Sequence, residues 1–313
     1  MSKSVWVFYL ALVLIGATWG LTFPITKVVV STGYQPYGIL VWQLVSAIIL
    51  TGAFTLWRRK TLRFSRRHFP LYFGVAMLGS VVSGYFSYTA APHLPGGVLA
   101  IIIALVPLFS MPVALLMGFE KPSLYRLSGL FFGAGAVVLL VGPETSLPTP
   151  GTEIFVIVAM LSTLAYGIEG NFLEWFNARA TDPVPDPFQV LFGASIFGLC
   201  VALPLALVSG QYIDPFIEWS APEWGILLIS VLSTFAYSGY IWLIGRTGPV
   251  FAAQVSYLVT SFGVGWSMML LGESYSSWVW LALILILAGL FLVQPRQRES
   301  SLDEKAGVSE DAN

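Results

Sequence analysis

Residues 5–30 read VWVFYLALVLIGATWGLTFPITKVVV, and Lys27 is the single charge in the run. A helix needs ~20 apolar residues to cross a ~30 Å hydrocarbon layer, and this run supplies them. It is too long for a signal-peptide core, and no small-residue cleavage site leading into a polar mature region follows it. It is therefore read as a retained first membrane helix.

Outward from this run, further apolar spans follow at 37–57, 69–91, 96–118, 124–142, 152–176, 187–209, 223–245, 249–271 and 277–294. Each is about twice the ~10 residues of a membrane strand, and none alternates strictly between apolar and polar. The predicted fold class is all-α integral membrane, with ten transmembrane helices. Breakers separate the spans, among them Pro92-His93-Leu94-Pro95-Gly96-Gly97, Gly142-Pro143, Pro148-Thr149-Pro150-Gly151 and the proline-rich stretch from Asp182 to Pro187. Composition agrees. Charged residues make up 10% of the chain and hydrophobic residues 57%, with a mean hydropathy of +0.81, whereas soluble domains carry roughly 25% charge.

Basic residues test the helix count, because cytoplasmic loops hold the excess of lysine and arginine. With ten helices and both termini inside, 14 of the 15 basic residues fall on the inner side. Lys27, near the outer end of the first helix, is the exception. The outer loops hold Glu144, Glu153, Asp214, Glu218, Glu223 and Glu273. Both termini are thus expected to be cytoplasmic.

The chain also repeats itself. Leu105-Val106 aligns with Leu258-Val259 at an offset that pairs Phe109 with Phe262 and Glu120 with Glu273, and Trp19-Gly20 matches Tyr166-Gly167. The predicted domains are a first five-helix repeat at 1–142, a linker at 143–151, a second repeat at 152–294 and a disordered cytoplasmic tail at 295–313. A repeat of odd helix number must enter the membrane the other way up when it recurs. Two inverted five-helix repeats can open a shared midplane site to each side in turn.

Four stretches carry a family resemblance: Gly16-Ala17-Thr18-Trp19-Gly20-Leu21-Thr22-Phe23-Pro24, the proline-bearing fourth helix ending Gly118-Phe119-Glu120, the glycine-rich fifth helix from Gly129 to Gly142, and Leu271-Gly272-Glu273. Over about residues 5 to 294 the sequence resembles the drug/metabolite transporter superfamily, in particular its EamA-type branch of ten-helix bacterial carriers. It departs from the first-half pattern in the ninth helix, where Thr260 stands at the place of Pro107, so the kink expected in the fourth helix is expected to be missing there. The resemblance implies a multi-pass protein of a bacterial cytoplasmic (inner) membrane, a secondary transporter that exports a small metabolite, an amino acid or derivative first and a drug, nucleobase or sugar-related compound as the alternative.

Glu169 is the most informative single residue, since an ionisable group at a helix centre costs roughly 2.5–3.5 kcal/mol on insertion scales. The spacing i, i+4, i+7 puts Ser162, Tyr166 and Glu169 on one face, expected to line the route. Glu169 could recognise an amine or carry a coupled proton; the competing reading is a structural hydrogen bond near the inner interface. Lys27 could meet a substrate carboxylate or simply snorkel to the headgroups. Tyr85 and Tyr88 are expected at the outer mouth and Tyr237 and Tyr240 at the inner one, as paired gates or as an aromatic belt. Trp19, Gln43, Gln254 and Tyr257 complete the pathway candidates. Glu120 and Glu273 read as helix-end caps or loop partners, and Cys200 as a small buried residue.

No enzyme constellation is found. His68 and His93 fall in loops on opposite sides, and no phosphate-cradling loop with lysine occurs. A membrane enzyme is the distant third reading, for want of paired acids or histidines. The expected partners are a small-molecule substrate and the lipid bilayer, with no nucleic acid, cofactor or metal; monomer and homodimer both stay open.

Overall fold

Hydrocarbon offers no partner to a free N–H or C=O, so a spanning segment must bond its backbone internally. The computed structural model describes residues 3–60, 66–143, 147, 149–179, 185–247 and 254–293, and within them the apolar runs are helical. They form α1 (Lys3–Ser31), α2 (Pro36–Trp57), α3 (Arg66–Ala90), α4 (Gly96–Leu116), α5 (Leu124–Val141), α6 (Glu153–Arg179), α7 (Pro187–Val208), α8 (Ala221–Thr247), α9 (Val255–Leu271) and α10 (Ser277–Val293). No strand occurs among the described residues. The predicted tail at 295–313, the opening of the ninth span at 249–253 and Glu144 lie outside them.

Two helices are irregular. In α4, Pro107 has no N–H to give the carbonyl of Ile103. The helix breaks between Gly96–Ile103 and Val106–Leu116, and the N–H groups of Ala104 and Leu105 turn to the carbonyls of Ile101 and Ile102 at 3.2 and 3.0 Å. The equivalent α9, with Thr260 in that place, is unbroken from Val255 to Leu271. In α3, a π segment, Met77–Val82, joins two α-helical parts.

Packing follows a two-fold rule. α1 lies on α8 and α9 while α6 lies on α3 and α4; α2 with α8 is answered by α7 with α3; and α2–α7 and α5–α10 pair each helix with its own equivalent. Local contacts repeat too. A Cβ on Gly20 would stand 2.9 Å from Cβ of Phe262, and one on Gly167 would stand 3.3 Å from Cβ of Phe109. These are the residues that the repeat had paired in sequence.

Side-chain registers give the directions. Gly16 meets Leu258 and Gly20 meets Gly263, so α1 and α9 run parallel; Thr163 bonds Ile102 and Asn171 bonds Ser110, so α6 and α4 do as well. Phe172 meets Gly74 and Glu169 meets Gly79, which sets α6 antiparallel to α3. Tyr72 meets Gly193 and Val81 meets Gly198, so α3 runs with α7, and Gly38 by Ile213 with Gly52 by Phe192 sets α7 against α2. Therefore α6 runs with α2. α2 in turn reverses α1, since Tyr34 bonds Glu223 at the start of α8 and α8 is antiparallel to α1, with Val29 by Gly225 and Ile15 by Gly239. The two five-helix halves are inverted.

The outer surface is apolar, as lipid requires: Leu116 is 89% exposed and Phe131 77%. Hydroxyls such as those of Thr51, Thr163, Ser162 and Ser230 are turned inward. The reading of Cys200 as buried is corrected by this arrangement. It is exposed on α7, because in a bilayer a small apolar side chain gains nothing by leaving the surface.

Candidate functional site

Where α1, α3, α6 and α8 converge, two adjoining cavities of about 280 and 340 Å³ share a wall made of Trp19, Ser87, Tyr88, Tyr166, Glu169, Ser233 and Tyr237. Both halves contribute equivalent helices, α1 with α6 and α3 with α8. The first cavity extends over Gln43 and Leu44 of α2, Gly79 and Ser80 of the π segment, Ser195 of α7, and Ser230 and Thr234 of α8. The second reaches Thr22 and Thr26 of α1, Tyr240 of α8, the α4 break at Ile103 and Ala104, and Val255, Ser256 and Thr260 of α9.

The wall is aromatic on one side. Trp19 meets Tyr237 edge-on with ring centroids 6.4 Å apart at 77°, and Tyr240 at 6.2 Å and 70°. Tyr88 of α3 has Gln43 beside its hydroxyl, and Tyr166 of α6 lies next to Ser83. Hence Tyr88 and Tyr237, expected at opposite mouths, line one wall. Rings from the two halves meet there through Trp19 of α1 and Tyr237 and Tyr240 of α8. Tyr85 instead stacks on Tyr37, with centroids 5.0 Å apart and planes at 26°.

Glu169 shares this wall with the rings. Its carboxylate lies against Gly79, and a side chain at that position would collide with it. The π segment thus brings a residue without a Cβ up to the one carboxylate that lines the cavity among the described residues, and π segments recur at functional sites in helices. Among the described residues Glu169 is in no salt bridge. No lysine, arginine or histidine among the described residues lines either cavity.

Of the other candidates, Ser162 is one turn beyond Tyr166, 2% exposed, with its Oγ unpartnered and off the cavity wall. Tyr257 has a buried hydroxyl without a partner, and Gln254 precedes α9; neither lines a cavity. Lys27 is placed elsewhere: its Nζ donates to the carbonyls of Ala91 and Pro92 at 3.1 and 2.7 Å. It therefore caps the C-terminus of α3, where helix carbonyls are unsatisfied and a cation is favoured. At the same end Glu273 accepts from the N–H of Gly96 at 2.8 Å, the N–H of Gly97 at 3.2 Å and the hydroxyl of Tyr275 at 2.5 Å.

Thr22, Thr26 and Ser195 line the cavities without having been singled out in the sequence. Trp19, Thr22 and Thr26 fall at helical spacing on one face of α1, and that spacing was the available signal. At the offset pairing Trp19 with Tyr166, Thr22 is the counterpart of Glu169, so the carboxylate belongs to the second half alone.

Two inverted helix repeats enclosing a polar cavity at mid-bundle define a membrane transporter of the inverted-repeat class. The chain belongs to the EamA-like transporter family, whose model matches residues 6–142 and 153–294. It is 26% identical over 285 residues to the uncharacterized inner membrane transporter YedA of Escherichia coli K12, covering 88% of this chain and 86% of that one. It is 24% identical over 240 residues to the protein WALLS ARE THIN 1 of Arabidopsis thaliana, covering 66% and 62% of the two chains. A solved crystal structure with 16% identity matches 92% of this chain and 98% of its own, with a TM-score of 0.58. That likeness concerns the fold.

Proposed function

We propose that this transporter is a secondary carrier that exports a small amine-bearing metabolite, an amino acid or derivative, by alternating access. The observation that carries the reading is the shared wall of the two cavities. It is built from equivalent helices of inverted halves, so a rocking of one half against the other moves access from one end to the other while Glu169 stays in place. Glu169 supplies an acceptor for a substrate ammonium and a carrier for an exchanged proton. The halves at 1–142 and 152–294 are the moving units. The segregation of basic residues supports cytoplasmic termini, and the likeness to the inner membrane transporter YedA supports an inner membrane.

The test uses purified protein in liposomes, following counterflow of radiolabelled amino acids and their amides with and without a pH gradient, beside Glu169→Gln. The expected result is exchange driven by the gradient and lowered at least ten-fold in the variant. Exchange at the full rate in Glu169→Gln, or the same flux at every gradient, would remove Glu169 from the mechanism.

A further inference from the structure

We infer that the cavity selects an organic monocation, an amine whose carboxyl group is absent or masked, over the zwitterionic amino acid. The inference rests on the carrier reading above and narrows its substrate. An amino acid brings two charges into the cavity, and each that gives up water there needs a partner. For the ammonium the cavity offers much. Glu169 provides a carboxylate, negatively charged once its proton has left, and the rings of Trp19, Tyr237 and Tyr240 line the same cavity, where an aromatic quadrupole attracts a cation. Ser233 adds a hydroxyl acceptor, and the α4 break leaves the carbonyl of Ile103 without its helical donor beside the second cavity.

For the carboxylate the cavity offers no opposite charge among the described residues. The nearest candidate by sequence, Lys27, is engaged by the Ala91 and Pro92 carbonyls and lines neither cavity. A substrate carboxylate that enters would lose water without gaining an opposite charge, and a deprotonated Glu169 beside it would repel it. An ester, an amide or a decarboxylated amine avoids that repulsion and keeps the ammonium. Volumes of about 280 and 340 Å³ accept a phenyl ring with a short amine arm.

The experiment measures binding to the purified full chain in nanodiscs by calorimetry, with four probes of one skeleton: L-phenylalaninamide and phenethylamine as cations, L-phenylalanine as zwitterion, and 3-phenylpropionate as anion. Both cations are expected to bind at least ten-fold more tightly than the zwitterion and the anion. Glu169→Gln is expected to abolish that difference, with its unliganded melting temperature showing that it is folded. Lys27→Met is expected to leave the order of the four probes unchanged. L-phenylalanine binding as tightly as its amide, failure of both cations to bind, or a preference for cations that survives Glu169→Gln would each overturn the inference. Counterflow separates it from the carrier reading. Cations that bind without being exchanged across liposomes leave the selectivity standing and sink the carrier, whereas faster exchange of L-phenylalanine than of its amide does the reverse.

Discussion

At the α4–α5 connection Glu120 pairs with Nη1 of Arg126 at 2.6 Å, six residues away and in the same half. At the equivalent α9–α10 connection Glu273 crosses to the other half and takes the first N–H groups of α4, with Tyr275 alongside. The sequence positions are equivalent and the topology is shared, yet one carboxylate bridges the halves and the other stays at home. Lys27 reinforces the bridged end by holding the C-terminus of α3, which leads into the strap that Glu273 caps. A two-fold repeat thus carries an asymmetric state, fastened across the halves at the end where Glu273 lies. Alternating access requires such a difference, because a molecule symmetric in its fastenings would be open or shut at both ends together.

The largest effect should come from breaking the bridge. Glu273→Ala removes a carboxylate that accepts three hydrogen bonds and leaves two helix-end N–H groups unpaired, a loss of ~3 kcal/mol where charge-assisted bonds contribute about 1.5–3 each. Thermal unfolding in detergent should show a drop of several degrees, and one no larger than that of Glu120→Ala would erase the distinction. For Glu120→Ala the expected loss is at most about 1 kcal/mol, as for other exposed pairs.

An intermediate effect probes the repeated close approach. Gly20→Ala puts a methyl 2.8 Å from the backbone N of Gly263 and 2.9 Å from the Val259 carbonyl oxygen, whereas Gly167→Ala meets the Ser110 N at 3.0 Å. Overpacking of this sort costs ~1–3 kcal/mol. Gly20→Ala should lower the melting temperature more than Gly167→Ala, and the reverse order would show that the first half has more room than its packing indicates.

The smallest effect concerns Asp186, which starts α7. Burial pushes its carboxyl up, but the Lys60 ammonium at 2.5 Å, the Phe188 N–H and the Arg58 charge outweigh it and hold the carboxyl below the ordinary range. A depressed carboxyl stabilises the fold above the unfolded value of ~3.9 and loses that contribution as pH falls through the folded value. Stability between about pH 5 and 3, followed by thermal unfolding, should fall slightly more in wild type than in Asp186→Asn, by under ~1 kcal/mol given the exposure of the partners. Identical slopes would show that the cluster does not couple to folding.

Much of this architecture is legible in the residues themselves. Run length separates membrane helices from strands, Trp19-Gly20 and Tyr166-Gly167 disclose the repeat, and Pro107 against Thr260 foretells the broken α4 and the whole α9. Glu169 stands out because a carboxylate amid apolar residues is costly to insert. What could not be read depends on contacts distant in sequence. The carbonyls that hold Lys27 lie 64 and 65 residues away, and no spacing within α1 points to them. That Tyr88 and Tyr237 line the same cavities depends on how the two halves pack together. Cys200 misleads because apolar surface faces outward in lipid, so an apolar neighbourhood in sequence says nothing of depth.

The π segment of α3 leaves a rotational debt. An α-helix turns about 100° per residue, and the wider turn at Met77–Val82 inserts one residue without advancing the helix by its usual angle. The part that packs on α7 through Leu71, Tyr72, Val75 and Ala76 and the part that presents Ser87 and Tyr88 to the cavities are therefore out of phase by about that amount. Closing the segment into α-helix at its present length would swing Tyr88 round the axis, whereas deleting one residue from it would leave an unbroken α-helix with Tyr88 still facing the cavities. The cavity wall is thus specified by chain length as well as by side-chain chemistry.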